Sequence, residues 1–176
     1  MTAASRVRQG VRALLAFAQE VDFALAARYL SPAQLALFRQ MHRVDQLHSL
    51  NVLRDVLTAA PPADTIADLA VAALLHDVGK SRYPLMVWQK TFSVLLRGFL
   101  PAVYRRWSRQ GNPHNPFQRG CLVAEQHPTW SAAMAAEAGT SERALWLIEN
   151  HAAKDIAPAH PYSNLLKRLQ QADDAN

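Results

Sequence analysis

Seven residues of this 176-residue chain carry chemistry at positions that could converge: His48, the neighbours His76 and Asp77, Lys80, His127, His151 and Asp173. His48 falls on the apolar side of a helix with Met41, Val44 and Val52, where burying an unpaired imidazole would cost free energy. His76 and Asp77 close the apolar run from Leu69 to Leu75, so they project from a core element. His127 stands before Pro128 at a helix start, and His151 ends the stretch ALWLIENH. Asp173 follows the apolar positions Leu165, Leu166 and Leu169. His48, the His76-Asp77 pair, His127, His151 and Asp173 come from different elements, each at an inner face or an end pointing inward.

Four imidazoles and two carboxylates suit a pair of divalent transition metals, with Asp77 placed to bridge them. Nitrogen and oxygen donors together favour iron, manganese, cobalt or zinc over calcium, with magnesium also admissible, and no thiolate is needed. Two such metals about 3.5–4 Å apart would activate a bridging water and clamp a phosphoryl oxygen. Lys80, one turn beyond Asp77, could neutralise phosphate charge, and Arg82 could reach the same group. His42 and His114 read as solvated and His160 as structural.

The elements that must position these side chains read as helical throughout. Val11 to Leu30 is amphipathic and rich in alanine and leucine,. Ser31-Pro32 is a cap followed by a first-turn proline, and the helix it opens is expected to run to about Ala59, ended by Pro61-Pro62. Thr65 to Leu75 follows, with Gly79 as its stop. A segment of about 86–118, broken by Gly98 and Pro101 and closed by the loop GNPHNP, interrupts the pattern. Helices are expected again over about 119–126, 128–138 before Gly139, 141–152 and 163–172. No repeat and no strand-like alternation is seen. The expected fold is all-α: an N-terminal helix within 1–30 packed on a single bundle over 31–176, with the metal site at its centre.

The charge is +5, contributed by Arg6, Arg8, Arg12, Arg97, Arg105, Arg106 and Arg109 among others. It favours anionic partners without implying specific nucleic-acid binding. One cysteine, Cys121, excludes an internal disulfide and suits a reducing compartment. No signal peptide or transmembrane run is read, so the expected location is cytoplasmic. Trp88 to Trp107 admits two readings: a helical pair lidding the site, or an interfacial element in peripheral contact with a membrane.

The order His48, His76-Asp77, His127, His151, Asp173 resembles the HD-domain metal-dependent phosphohydrolase superfamily. Leu47-His48-Ser49, Ala73 to Lys80 (ALLHDVGK) with Pro84, Gln126-His127-Pro128, Asn150-His151 and Ala172-Asp173 carry the resemblance, over roughly Gln46 to Asp173. The HDVGK block is similar to HD-GYP and membrane-receptor HD domains that hydrolyse cyclic dinucleotides. The resemblance implies a helical bundle in which His48, His76, Asp77 and Asp173 form the core quartet. It implies that His127 and His151 complete a second metal position and that Lys80 contacts the scissile phosphate of a phosphorylated small molecule such as a nucleotide. There is no GYP sequence, and Asn150-His151-Ala152 stands where that group has His-His-Glu. A third metal and cyclic di-GMP specificity are therefore not implied. Asp174 and Asp155 are alternative carboxylates to Asp173. Two other classes stay open: a di-iron oxygenase built on the same ligands, and a non-catalytic sensor of this fold that binds a ligand.

Overall fold

The computed structural model describes residues 19–59, 61, 63–155 and 160–176, and among them the chain is all-α, with no strand. The expected helix Val11–Leu30 lies outside the described residues as far as position 18. Its remainder is a single short helix, α1 (Phe23–Ala27), capped by Asp22. Phe23 packs edge-on against Phe38 with ring centroids 6.1 Å apart, and Ala26 is buried. This part of the N-terminal segment lies on the main core.

Ser31 opens α2 (Pro32–Gln40) with the expected cap. Its hydroxyl accepts from the Gln34 amide, and the Gln34 side chain accepts from the Ser31 amide in return,. The single helix expected to Ala59 is instead two. Met41 is extended (φ −68°, ψ 152°), and α3 (Arg43–Thr58) starts after His42. No glycine or proline marks this break. Met41 turns inward, and the Phe38 carbonyl at the helix end accepts both from the Met41 amide and from the Gln46 side-chain amide,. Val44, in the first turn of α3, is about half exposed rather than part of the core.

α4 (Ile66–Leu75) is the central element. Every side chain from Leu69 to Leu75 is buried, as its unbroken apolar run requires,. α3, α8 (Glu142–Asn150) and α9 (Ser163–Ala175) pack around it. The chain after α4 forms a tight 3₁₀ segment, Val78–Arg82. Gly79 is not the left-handed stop expected of it, since the positive φ among the described glycines belongs to Gly139 (74°). A Cβ at Gly79 would lie 2.4 Å from the His127 carbonyl oxygen and 2.7 Å from the Ser131 nitrogen. Glycine is needed there because two backbones touch.

The expected insertion forms α5 (Val87–Phe99) and α6 (Pro101–Gln110). Pro101 separates them, while Gly98 stays inside α5. They pack on the first half of α7 (Pro116–Glu137) around a second, smaller core of Leu96, Tyr104 and Cys121. α7 is one helix where two were expected, with Pro128 in its interior. Proline there removes one backbone hydrogen bond, and the helix continues because both halves are held, by α5 and α6 on one side and α8 and the 3₁₀ segment on the other.

Candidate metal centre

α4 delivers His76 and Asp77 at its C-terminal end, both almost completely buried. His48 comes from the second turn of α3, His127 from the residue before the proline of α7, His151 from the end of α8, and Asp173 from the last turn of α9. Five helices thus place one or two donors each around a single point. All six ligands expected from the sequence are brought together. Three overlapping groups can each hold a metal ion: His48-His76-Asp77, His76-His151-Asp173 and Asp77-His127-His151, with donor atoms in each group within 4.8 Å of one another.

The two oxygens of Asp77 divide the imidazoles. Oδ2 lies 3.5 Å from His76 Nε2 and 3.9 Å from His48 Nε2. Oδ1 lies 3.3 Å from His127 Nε2 and 3.8 Å from His151 Nε2. Asp173 closes the first side, its Oδ1 at 2.9 Å from His48 Nε2 and 3.6 Å from His76 Nε2.

Three of the rings are aimed by their own helices. Nδ1 of His76 donates to the Ala73 carbonyl at 3.0 Å, Nδ1 of His127 to Val123 at 3.0 Å, and Nδ1 of His151 to Ile148 at 2.7 Å. A carbonyl only accepts, so each Nδ1 carries the hydrogen and each Nε2 faces the centre. Two consequences fit a cation. His76 Nε2 is fully buried with no hydrogen-bond partner, and the Nε2 atoms of His127 and His151 stand 3.2 Å apart, which requires a proton or a metal between them.

The electrostatics point the same way. Burial alone would raise the Asp77 carboxyl, but Lys80 foremost, then His76 and His127, hold it well below the carboxylate range. Asp173 is likewise pulled down, against its burial, by its hydrogen bond with His48 and the nearby His76 imidazole. Burial pushes His76 down, yet Asp77 and Asp173 outweigh it and the net direction is up. Burial, seconded by His76, lowers His151 to about 3, so this ring is neutral and available as a ligand.

Lys80 Nζ sits 2.6 Å from Asp77 Oδ2. Burial lowers its pKa, but Asp77 raises it further, and the ammonium stays charged. Arg82 holds its guanidinium over the rings of Tyr83 and Trp130. Asp173 is preferred over its alternatives by placement, since Asp174 and Asp155 are both exposed. The last turn of α9 is tied down: the Asn176 side chain donates to Asp55 at 2.7 Å and the Arg168 guanidinium to the Ala59 carbonyl. His42 and His114 are exposed as expected, and His160 stacks flat on Trp146 at 3.9 Å.

A pocket of about 600 Å³ opens beside the cluster, with Lys80 and His127 in its wall and Val44, Asp45, Val87 and Val94 among its other lining residues. Asp45 and Ser131 were not read from the sequence as site residues. Asp45 helps keep Lys80 charged, and Ser131 accepts the Gly79 amide at 2.8 Å. Neither belongs to a motif; only the fold brings Ser131 52 residues back to Gly79.

Comparisons with protein-family models, with curated proteins and with solved structures each return no match.

Proposed function

We propose that this chain is a metal-dependent phosphohydrolase of the HD-domain type, acting on a phosphate ester of a small molecule and using two divalent transition metals. The observation that carries the reading is the division of ligands by Asp77. One oxygen faces His48, His76 and, through them, Asp173; the other faces His127 and His151. That is the geometry of a carboxylate shared between two metal positions. The all-nitrogen-and-oxygen donor set favours iron, manganese, cobalt or zinc.

When bound, such a pair supplies a polarised phosphoryl oxygen and a water acidic enough to attack near neutral pH. The chain's own residues do the rest. Asp77, buried and ionised, holds the two halves of the ligand set in register. The carbonyls of Ala73, Val123 and Ile148 fix the rings, so little reorganisation is left for the reaction. Lys80, charged and still one-third exposed at its side chain, stands at the pocket side of the cluster. It offsets charge developing on the phosphoryl oxygens. The adjoining pocket takes the remainder of the ester, and nucleotides and cyclic dinucleotides are the first class to test.

The test is phosphate release from a panel of nucleotides, cyclic dinucleotides and simple phosphomonoesters, run anaerobically with each metal. Release that vanishes in Asp77→Asn and falls in Lys80→Met is expected. Full activity in Asp77→Asn would sink the reading, as would absence of phosphate release with every metal and ester together with oxygen consumption once air is readmitted.

A further inference from the structure

α5 is inverted relative to an ordinary surface helix. It buries the polar side chains of Gln89 and Ser93, beside Leu96, and leaves Val87, Val94, Leu95 and Phe99 in water. Val87 is 81% exposed, Phe99 80% and Val94 68%, with Leu95 and Leu100 more than half exposed. Met86, just before the helix, is 68% exposed. Val87, Val94, Leu95 and Phe99 lie along one broad side of α5, with Thr91 and Gly98 between them,. Lys90 and Arg97, seven residues apart, form one edge of it. Contiguous apolar surface of this kind marks an interaction site.

The charge around it identifies the partner. From Val78 to Ala124 the chain has eight Lys and Arg and not one Asp or Glu, although it holds 14 carboxylates elsewhere. The outer face of α6 presents Arg105, Arg106 and Arg109. None of these, nor Lys90 or Arg97, enters an ion pair among the described residues. Nucleic acid would use the cations but has no need of Val87, Val94 and Phe99 on the same face. A second copy of the chain would bury the apolar arc but bring one carboxylate-free cationic face against another. An anionic bilayer satisfies both, with the apolar arc among the acyl chains and the cations at the phosphate level.

We propose that the α5–α6 face docks this protein peripherally on an anionic lipid surface. No helix among the described residues is long and apolar enough to cross a membrane, so the contact is interfacial. Val87 and Val94 belong both to this face and to the pocket wall, so docking turns the pocket mouth toward the membrane. The proposal stands whether or not the cluster hydrolyses phosphate esters.

The experiment is co-sedimentation of the full chain with vesicles of phosphatidylcholine alone or with about one-third phosphatidylglycerol. Wild type is expected to pellet with the anionic vesicles, at least ten-fold more than with neutral ones, and to be released at high salt. Leu95→Asp with Phe99→Asp, and separately Arg105→Glu with Arg106→Glu, should each reduce binding at least ten-fold with unchanged helicity and melting temperature. Soluble glycerophosphoglycerol should not compete. Equal partition to neutral vesicles, unchanged binding in either variant, or displacement by the soluble headgroup would overturn the proposal. So would a dimer that the Leu95→Asp, Phe99→Asp variant dissociates without any vesicle binding, or RNA binding that this variant leaves intact.

Discussion

The Nε2 atoms of His127 and His151 face each other at 3.2 Å, and each ring is held there by an Nδ1–H bond to a carbonyl of its own helix. Two imidazole nitrogens at that distance are stable only with a proton or a metal between them. Replacing His151 by Gln removes one donor without opening a large cavity. The variant should fold and keep its helicity while its affinity for Mn²⁺ or Co²⁺ falls about 10–100-fold or more, the loss typical of even an outer ligand partner. Isothermal titration of both proteins measures it; equal affinity would remove His151 from the ligand set.

Metal binding should release protons. Asp77 and Asp173 hold His76 above its ordinary pKa despite burial, so a metal taking Nε2 displaces a proton. Affinity should therefore fall as pH drops from about 7 to 6, and the titration heat should depend on the ionisation enthalpy of the buffer. In His76→Gln both effects should shrink.

The metal-free chain carries a separate signature. His151 has a folded pKa of about 3 against an ordinary 6.5. Its neutral form is the one folding favours, so it contributes stability above pH 6.5 that is lost as pH falls toward 3. His76 has the opposite sign, its contribution being present below 6.5 and lost as pH rises. Thermal melts of chelator-treated protein should show a shallower decline between pH 6.5 and 4 for His151→Gln than for wild type. A steeper decline would contradict the assignment.

Gly79→Ala should cost about 1–3 kcal/mol, because its methyl group meets the backbone of α7 rather than a yielding side chain,. It should also weaken metal binding, since the displaced backbone is that of His127. Gly139→Ala costs about 1–2 kcal/mol through its positive φ alone, and should leave metal affinity unchanged. Melting and metal titration of the two variants separate the effects.

The helical class, the Ser31 cap and the six side chains that converge in the cluster were legible because each rests on local pattern: an apolar run, a cap pair, or a histidine or carboxylate beside core residues. What was not legible depends on partners distant in sequence. The break at Met41 has no breaker residue and exists because Gln46 and the core accept the turn. The unbroken α7 ignores Pro128 because neighbours on both sides hold it. Gly79 reads alone as a helix stop, whereas its need arises from His127 and Ser131 across α7. The contact of the Arg82 guanidinium with the Trp130 ring was not legible either, because Trp130 comes from α7.

The most direct test of the two-metal reading is the metal content of anaerobically purified protein, measured by elemental analysis against protein concentration, with Asp77→Ala in parallel. The account predicts about two transition-metal ions per wild-type chain and loss of both in the variant, because one carboxylate serves both positions. A wild-type chain that stays without metal after incubation with manganese, iron, cobalt and zinc, or a variant retaining both ions, would contradict it.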